Sequence, residues 1–141
     1  MKTSLSQAPA PAGPRHFPQA PIGGITVPFS EAVQLGDTLY VSGQIGLQPG
    51  KMAVVPGGIG PEARGALENL RAVLERRGSG LEHVLKCTVF LADIAEWPKF
   101  NEVYLEYFKT PLPARSALGA SGLALGARVE LECIAYVPPA R

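Results

Sequence analysis

The sequence predicts a single α+β domain, a mixed β-sheet with two helices packed on one face. Three observations carry that prediction. Only two segments, within 61–77 and 93–108, repeat apolar residues at helical spacing. β-Rich segments precede, separate and follow them, giving the order β-β-(β)-α-β-α-β-β, which is neither a regular βα alternation nor an all-β pattern. The chain has 141 residues, 46% of them hydrophobic, enough for one core without disulfides or metals.

Residues 1–21 are rich in Pro, Ala, Ser and Gln and show no hydrophobic period, so they read as a mobile tail, with the domain spanning 22–141. From Ile25 to Leu35 the chain looks extended. Leu35-Gly36-Asp37-Thr38-Leu39 is a turn signal, and Leu39 to Ile45 alternates, so a hairpin is expected. Gly43 inside that strand points to a bulge or a close approach by ligand or backbone. Met52 to Val55 is a candidate short edge strand before Pro56-Gly57-Gly58.

Pro61 to Arg77 is the clearest helix. Ala63, Ala66, Leu67, Leu70, Val73 and Leu74 fall on one face, Pro61 and Glu62 suit the first turn, and Arg76 and Arg77 suit the last. Gly78 is a natural stop. Val84 to Ala92 is β-rich and almost wholly apolar, as a central strand buried on both faces would be. Asp93 then caps a second helix, with Glu96 in the capping-box position and Pro98 in the first turn. Phe100, Val103, Tyr104, Tyr107 and Phe108 form its apolar stripe. Two strands, about 114–121 and 127–137, follow with a Gly-rich turn between them. Two helices cover one face of such a sheet. The apolar side chains of the other face call for a symmetric oligomer.

Charge narrows the function. The net charge is +1 and there is no basic run. Nucleic-acid binding normally needs a basic stripe to neutralise phosphates, so a nucleic-acid partner is not expected. No apolar stretch reaches membrane-spanning length, and the N-terminus lacks a signal-peptide core, so the expected location is the cytoplasm. Cys87 and Cys133 lie in apolar segments and read as buried, reduced thiols. Two cysteines at this spacing make neither a disulfide framework nor a zinc site.

The charged residues of interest lie at the end of the chain. Arg115 follows Pro111-Leu112-Pro113-Ala114, and the chain returns through Arg128-Val129-Glu130-Leu131-Glu132. If the last two strands form a hairpin, Arg115 falls opposite residues 129 to 132, with Glu130 or Glu132 as its neighbour. The plain reading is a cross-strand ion pair worth under ~1 kcal/mol. The functional reading is a guanidinium clamp for a small carboxylate, since arginine matches that group bidentately.

Other candidates are weaker. His16 falls in the tail and His83 in the loop before a strand, so a two-histidine acid–base site is not expected. Gly57-Gly58-Ile59-Gly60 precedes a helix, but no Lys-Ser/Thr follows it as in a phosphate loop. Asn101 projects among aromatics. Trp97 reads as a packing residue at the helix entry.

Several segments, in order, resemble the RidA/YjgF family of small imine deaminases, also called L-PSP endoribonucleases. They are Tyr40-Val41-Ser42-Gly43-Gln44-Ile45, Ala66-Leu67-Glu68-Asn69-Leu70, Lys86-Cys87-Thr88-Val89-Phe90-Leu91-Ala92-Asp93, Phe100-Asn101-Glu102-Val103-Tyr104, Pro113-Ala114-Arg115-Ser116 and Val129-Glu130-Leu131-Glu132. The resemblance spans about Ile25 to Val137. It implies a chorismate-mutase-like α+β fold and a homotrimer with ligand clefts between subunits. It also implies hydrolysis of reactive 2-imino acids, such as 2-aminoacrylate and 2-iminobutanoate, to 2-keto acids and ammonia. Neither a metal nor an organic cofactor is implied. The functional link is to pyridoxal-phosphate enzymes, which release these intermediates.

By the same resemblance, Arg115 binds the substrate carboxylate and Glu130 directs the attacking water, while Gly43 and Asn101 line the cleft. Two positions depart from the family pattern. Phe29, in Pro28-Phe29-Ser30-Glu31-Ala32, stands where a tyrosine is usual, and Ala117 stands where many deaminating members have a polar or bulkier residue. The leading expectation is an imine deaminase. The alternative is a trimeric carboxylate-binding or regulatory protein without turnover, which Phe29 and Ala117 favour. An endoribonuclease ranks below both, on charge and histidine placement.

Overall fold

The computed structural model describes residues 13–140. Six strands form one mixed sheet: β1 (Arg15–Pro18), β2 (Ser30–Leu35), β3 (Thr38–Gln44), β4 (Val84–Leu91), β5 (Ala114–Gly119) and β6 (Val129–Tyr136). The helices are α1 (Ile59–Arg76) and α2 (Trp97–Tyr107). The spatial order is β1-β2-β3-β6-β4-β5. The α+β class and the two-helix layer agree with the sequence prediction.

The crossovers explain this order. Helix α1 connects β3 to β4, and α2 connects β4 to β5. A helical connection of that length delivers the next strand parallel to the previous one. β5 accordingly pairs parallel with β4. β6 then runs antiparallel between β3 and β4. It belongs at the centre because its inward residues Val129, Leu131, Cys133 and Ala135 are buried. The expected hairpin between the last two strands is therefore absent, and β6 does not pair with β5.

Helix α1 sits close against the turn after β3. A Cβ on Gly46 would lie 2.6 Å from the Glu62 carbonyl oxygen, so only glycine fits there. The Asn69 Nδ2 donates to the carbonyls of Ile45 and Leu47, at 3.0 and 3.3 Å, and fixes that turn to the helix. Glu62 is buried and accepts from the Arg128 backbone N–H at 2.8 Å, tying the first turn of α1 to the start of β6. The core fills with Leu67, Leu70, Leu74, Val89, Phe100 and Leu131 between helices and sheet.

Four details differ from the expectations. Residues 15–18 are not tail: they form β1 against β2, with His16 opposite Val33. Residues 1–12 of the expected tail lie outside the described residues. The Met52–Val55 segment makes one bridge, Leu47 to Val54, rather than a strand. β4 alternates: Cys87, Val89 and Leu91 are buried, while Leu85 and Lys86 are exposed. It stands next to the edge strand and is covered on one face within the chain. Lastly, Asp93 caps a short 3₁₀ turn through the Ala95 N–H at 2.9 Å, and Glu96 pairs with Arg128 at 2.8 Å instead of closing a capping box. Among the described residues no helix is long and apolar enough to cross a membrane.

Candidate active site

Strand β5 leaves the Pro111-Leu112-Pro113 segment with a fixed register, which sets Arg115 beside Cys87 and Ala117 beside Val89. Paired residues share a face, so Arg115 and Ala117 point to the helix side. There the guanidinium carbon lies 4.8 Å from the ring centre of Tyr104, 5.7 Å from Trp97 and 5.9 Å from Phe100. Those three aromatics, at i, i+3 and i+7, form one stripe of α2. Among the described residues no carboxylate pairs with Arg115. Asn101 belongs to the same part of α2, and its Oδ1 is buried without a hydrogen-bond partner. The Tyr104 hydroxyl is buried beside the Cys87 thiol with no oxygen or nitrogen partner, and burial, followed by Cys87, pushes its pKa above the ordinary tyrosine range.

Glu130 points the other way. It lies opposite Phe90 of β4, on the face that the helices leave uncovered. Its carboxyl crosses directly over Gly43: a Cβ there would come within 2.9 Å of the Glu130 Cδ. The β3–β6 register shifts between Val41 and Gln44, the stretch that contains Gly43, as a bulge there would require. The close approach is by the Glu130 side chain. The Ser42 hydroxyl donates to the Ser30 carbonyl at 2.6 Å, joining β3 to the start of β2. Phe29 precedes that junction in the chain, with its ring half-exposed. Burial, and secondarily the nearby charge of Glu132, raise the pKa of Glu130 above the ordinary glutamate range. A carboxyl shifted in this direction is a better proton carrier near neutrality than an exposed one.

The residues singled out in the sequence thus separate into two sets. Arg115, Asn101 and Ala117 belong to β5 and α2 on the helix side. Gly43 and Glu130 belong to β3 and β6, with the Glu130 side chain on the opposite face, and Phe29 immediately precedes β2. The expected pairing of Arg115 with Glu130 or Glu132 within the chain does not occur, because β5 pairs with β4 rather than with β6.

Sequence reasoning missed the aromatic bed of Arg115. Trp97 was expected only as packing, and Tyr104 only as part of a core stripe. Their spacing on α2 was the available signal, but it gained meaning only once β5 was placed beside that helix. A second missed cluster is structural. Glu31, buried at the start of β2, pairs with Arg76 and with Arg77 at the end of α1, the latter at 2.7 Å.

His16 and His83 stay apart. β1 and β4 are four strand spacings distant in the sheet, about 19 Å. Gly57 and Gly58 both have positive φ, +115° and +88°, so the glycines before α1 are explained by the turn. Among the described residues no three His, Cys, Asp or Glu side chains gather as metal ligands. The two cysteines face each other across β4 and β6, buried and unbonded, and burial pushes the Cys87 thiol up to about 11.

The family model described as endoribonuclease L-PSP matches residues 20–137. The chain is 46% identical over 112 residues to the 2-iminobutanoate/2-iminopropanoate deaminase of Mus musculus, covering 79% of this chain and 83% of that protein. It is 41% identical over 116 residues to the protein of the same name from Homo sapiens, covering 82% and 85%. Its fold is similar to the crystal structure of RidA from an Antarctic Psychrobacter, with a TM-score of 0.79, 34% identity, and coverage of 87% and 100%. The order of the strands and helices, the motifs they carry and these likenesses lead to one conclusion: this chain belongs to the endoribonuclease L-PSP family, the RidA/YjgF proteins.

Proposed function

We propose that this protein is a hydrolytic deaminase of reactive 2-imino acids. The observation that carries the reading is an arginine without a carboxylate partner among the described residues, Arg115, in a chain that also holds a carboxyl with a raised pKa, Glu130. Arg115 binds the substrate carboxylate bidentately. The protonated imine carbon is already electrophilic, so orientation and one acid–base group suffice. Glu130 takes a proton from water as the water oxygen bonds to that carbon. The tetrahedral product then regains the proton on nitrogen, the C–N bond breaks, and ammonia leaves. Loss of the hydroxyl proton gives the 2-keto acid. An enamine such as 2-aminoacrylate enters after protonation at its terminal carbon.

Arg115 and Glu130 direct their side chains to opposite faces of one sheet, with β4 between their strands. A single chain does not bring both to one carbon atom. This favours a site shared between copies, in which the β5 edge of one subunit meets the uncovered face of the next, as in a closed homotrimer. Gly43 leaves room for Glu130, Asn101 offers an unused acceptor, and Phe29 and Ala117 make the walls apolar. The substrates are of the kind released by pyridoxal-phosphate dehydratases, which points to the cytoplasm as the place of action.

The test generates 2-aminoacrylate or 2-iminobutanoate with an amino-acid dehydratase or oxidase and follows loss of the imine. Acceleration over spontaneous hydrolysis, abolished by Arg115→Ala, is expected. A wild type that adds nothing across several imines sinks the enzyme reading. Light scattering on the eluting protein reads the trimer. Mixing Arg115→Ala with Glu130→Gln subunits then tests the shared site: random assembly leaves about a quarter of the interfaces with both native groups. Recovery of activity is expected, and none would place both groups in one subunit.

Phe29 and Ala117 favour a second reading, carboxylate binding without turnover. Arg115-dependent binding of 2-oxobutanoate with no imine hydrolysis would establish it. The near-neutral charge and the separated histidines disfavour RNA cleavage.

A further inference from the structure

We infer that Tyr104 and Trp97 are positioning residues for Arg115: their rings hold the guanidinium in place without a carboxylate partner, leaving its N–H edge free for the incoming carboxylate. This rests on the carboxylate-binding role of Arg115 proposed above.

A ligand-binding arginine faces a conflict. Left in solvent, it loses rotamer entropy each time it binds. Fixed by a glutamate, its donors are already used and its charge is neutralised. Stacking on aromatic faces avoids both. The ring quadrupole attracts the cation face-on and takes no in-plane hydrogen bond. Arg115 has that arrangement. Tyr104 lies closest at 4.8 Å, and Trp97 and Phe100 follow at 5.7 and 5.9 Å.

All three rings come from one stripe of α2, so a rigid element sets the position of the guanidinium. The Tyr104 hydroxyl is buried and turned toward the Cys87 thiol, so it is the ring that lies against the guanidinium. Trp97 is 43% exposed, more than a pure packing residue needs, and flanks the guanidinium from the entrance of the helix.

Ring and hydroxyl are separable by substitution. Tyr104→Phe keeps the face and removes the oxygen; Tyr104→Leu removes the face. Trp97→Phe and Trp97→Leu do the same at a half-exposed site where folding is not at risk. Binding of 2-oxobutanoate and of its neutral amide, 2-oxobutanamide, is measured by calorimetry for each variant, alongside steady-state kinetics and thermal melting.

Tyr104→Leu is expected to weaken 2-oxobutanoate binding about 5- to 30-fold and Trp97→Leu about 2- to 5-fold. Both phenylalanine variants should stay near wild type, and binding of the amide should not change. Because the carboxylate is held alike in ground and transition states, the kinetic loss should fall on KM with kcat nearly constant. Trp97 is the one tryptophan of the chain, so its fluorescence should also respond to 2-oxobutanoate in wild type and in Tyr104→Phe.

Wild-type affinity in a folded Tyr104→Leu or Trp97→Leu protein overturns the inference. So does equal loss for the carboxylate and the amide, or a Tyr104→Phe variant as weak as Tyr104→Leu. Should Tyr104→Leu fail to fold, the Trp97 pair decides alone. Binding that is indifferent to Arg115→Ala overturns this inference together with the reading it rests on, which separates the two failures.

Discussion

The guanidinium of Arg77 lies 4.2 Å from the centre of the Phe17 ring, and that of Arg115 lies 4.8 Å from the centre of Tyr104. Each cation lies over an aromatic ring; the rest of the environment differs. Arg77 also bonds the buried Glu31 through Nε at 3.0 Å and a terminal nitrogen at 2.7 Å, and Arg76 bonds the other oxygen of the same carboxylate. Both oxygens of the buried carboxylate are engaged, and the cluster fastens β2 to the end of α1. Arg115 has rings beneath it and no carboxylate partner among the described residues. A satisfied arginine near a helix end reads as architecture. An unsatisfied one, fixed at the sheet edge, reads as a binding group. Arg64 adds a third setting, a bidentate pair with Glu106 in which both partners are about half exposed.

These settings differ in what removal should cost. Arg115→Ala should have the largest effect, lowering imine-hydrolysis kcat/KM by about 100-fold or more with little change in melting temperature. A substantial loss of thermal stability with activity retained would instead place Arg115 in the class of Arg77.

Glu130→Gln should lower kcat by about 10- to 100-fold while 2-oxobutanoate still binds. The pH dependence sharpens this. A general base must be deprotonated, and burial together with Glu132 holds the pKa of Glu130 up, so the acid limb of the rate profile should lie above the ordinary glutamate value. Glu132→Gln removes the repelling charge and should move that limb to lower pH. Stability runs with the opposite sign. A carboxyl with a raised folded-state pKa favours folding below its ordinary pKa, and that contribution is lost as pH rises through the folded value. Glu130→Gln should therefore melt higher than wild type at pH 7, with the advantage shrinking toward pH 4.

Glu31→Gln should behave inversely to Arg115→Ala. It breaks a cluster whose carboxylate is buried but whose arginines are partly exposed, so a loss of about 2 kcal/mol is expected, or roughly 4–8 °C in melting temperature. Activity per folded molecule, measured well below the transition, should be unchanged. The smallest effect is expected for Arg64→Gln: an exposed pair of this kind should leave both melting temperature and rate at wild-type values.

Much of the fold was legible in the sequence because it depends on local pattern. The helical period from Ala63 to Leu74, the turn at Gly36-Asp37, Pro98 in a first turn and Gly43 as a bulge all follow from backbone preference and spacing. The family motifs, strung in order from Tyr40 to Glu132, pointed to Arg115 and Glu130. Which residues face each other depends on strand order, and that is non-local. β5 and β6 are consecutive in sequence with a Gly-rich turn between them, a pattern that also describes a hairpin. The parallel crossover through α2 and the wholly buried inward face of β6 decide otherwise.

The sequence alone therefore determined the class of fold, the two helices, the family and the identities of the charged residues, since those reside in composition, period and motif. Tertiary structure decided what each charge meets. β5 beside β4 turned Arg115 onto Tyr104, and β6 at the sheet centre turned Glu130 over Gly43 on the opposite face. The physical reason is the two-residue alternation of a strand: each side chain's face is fixed by pairing, and pairing is settled only when the whole sheet assembles.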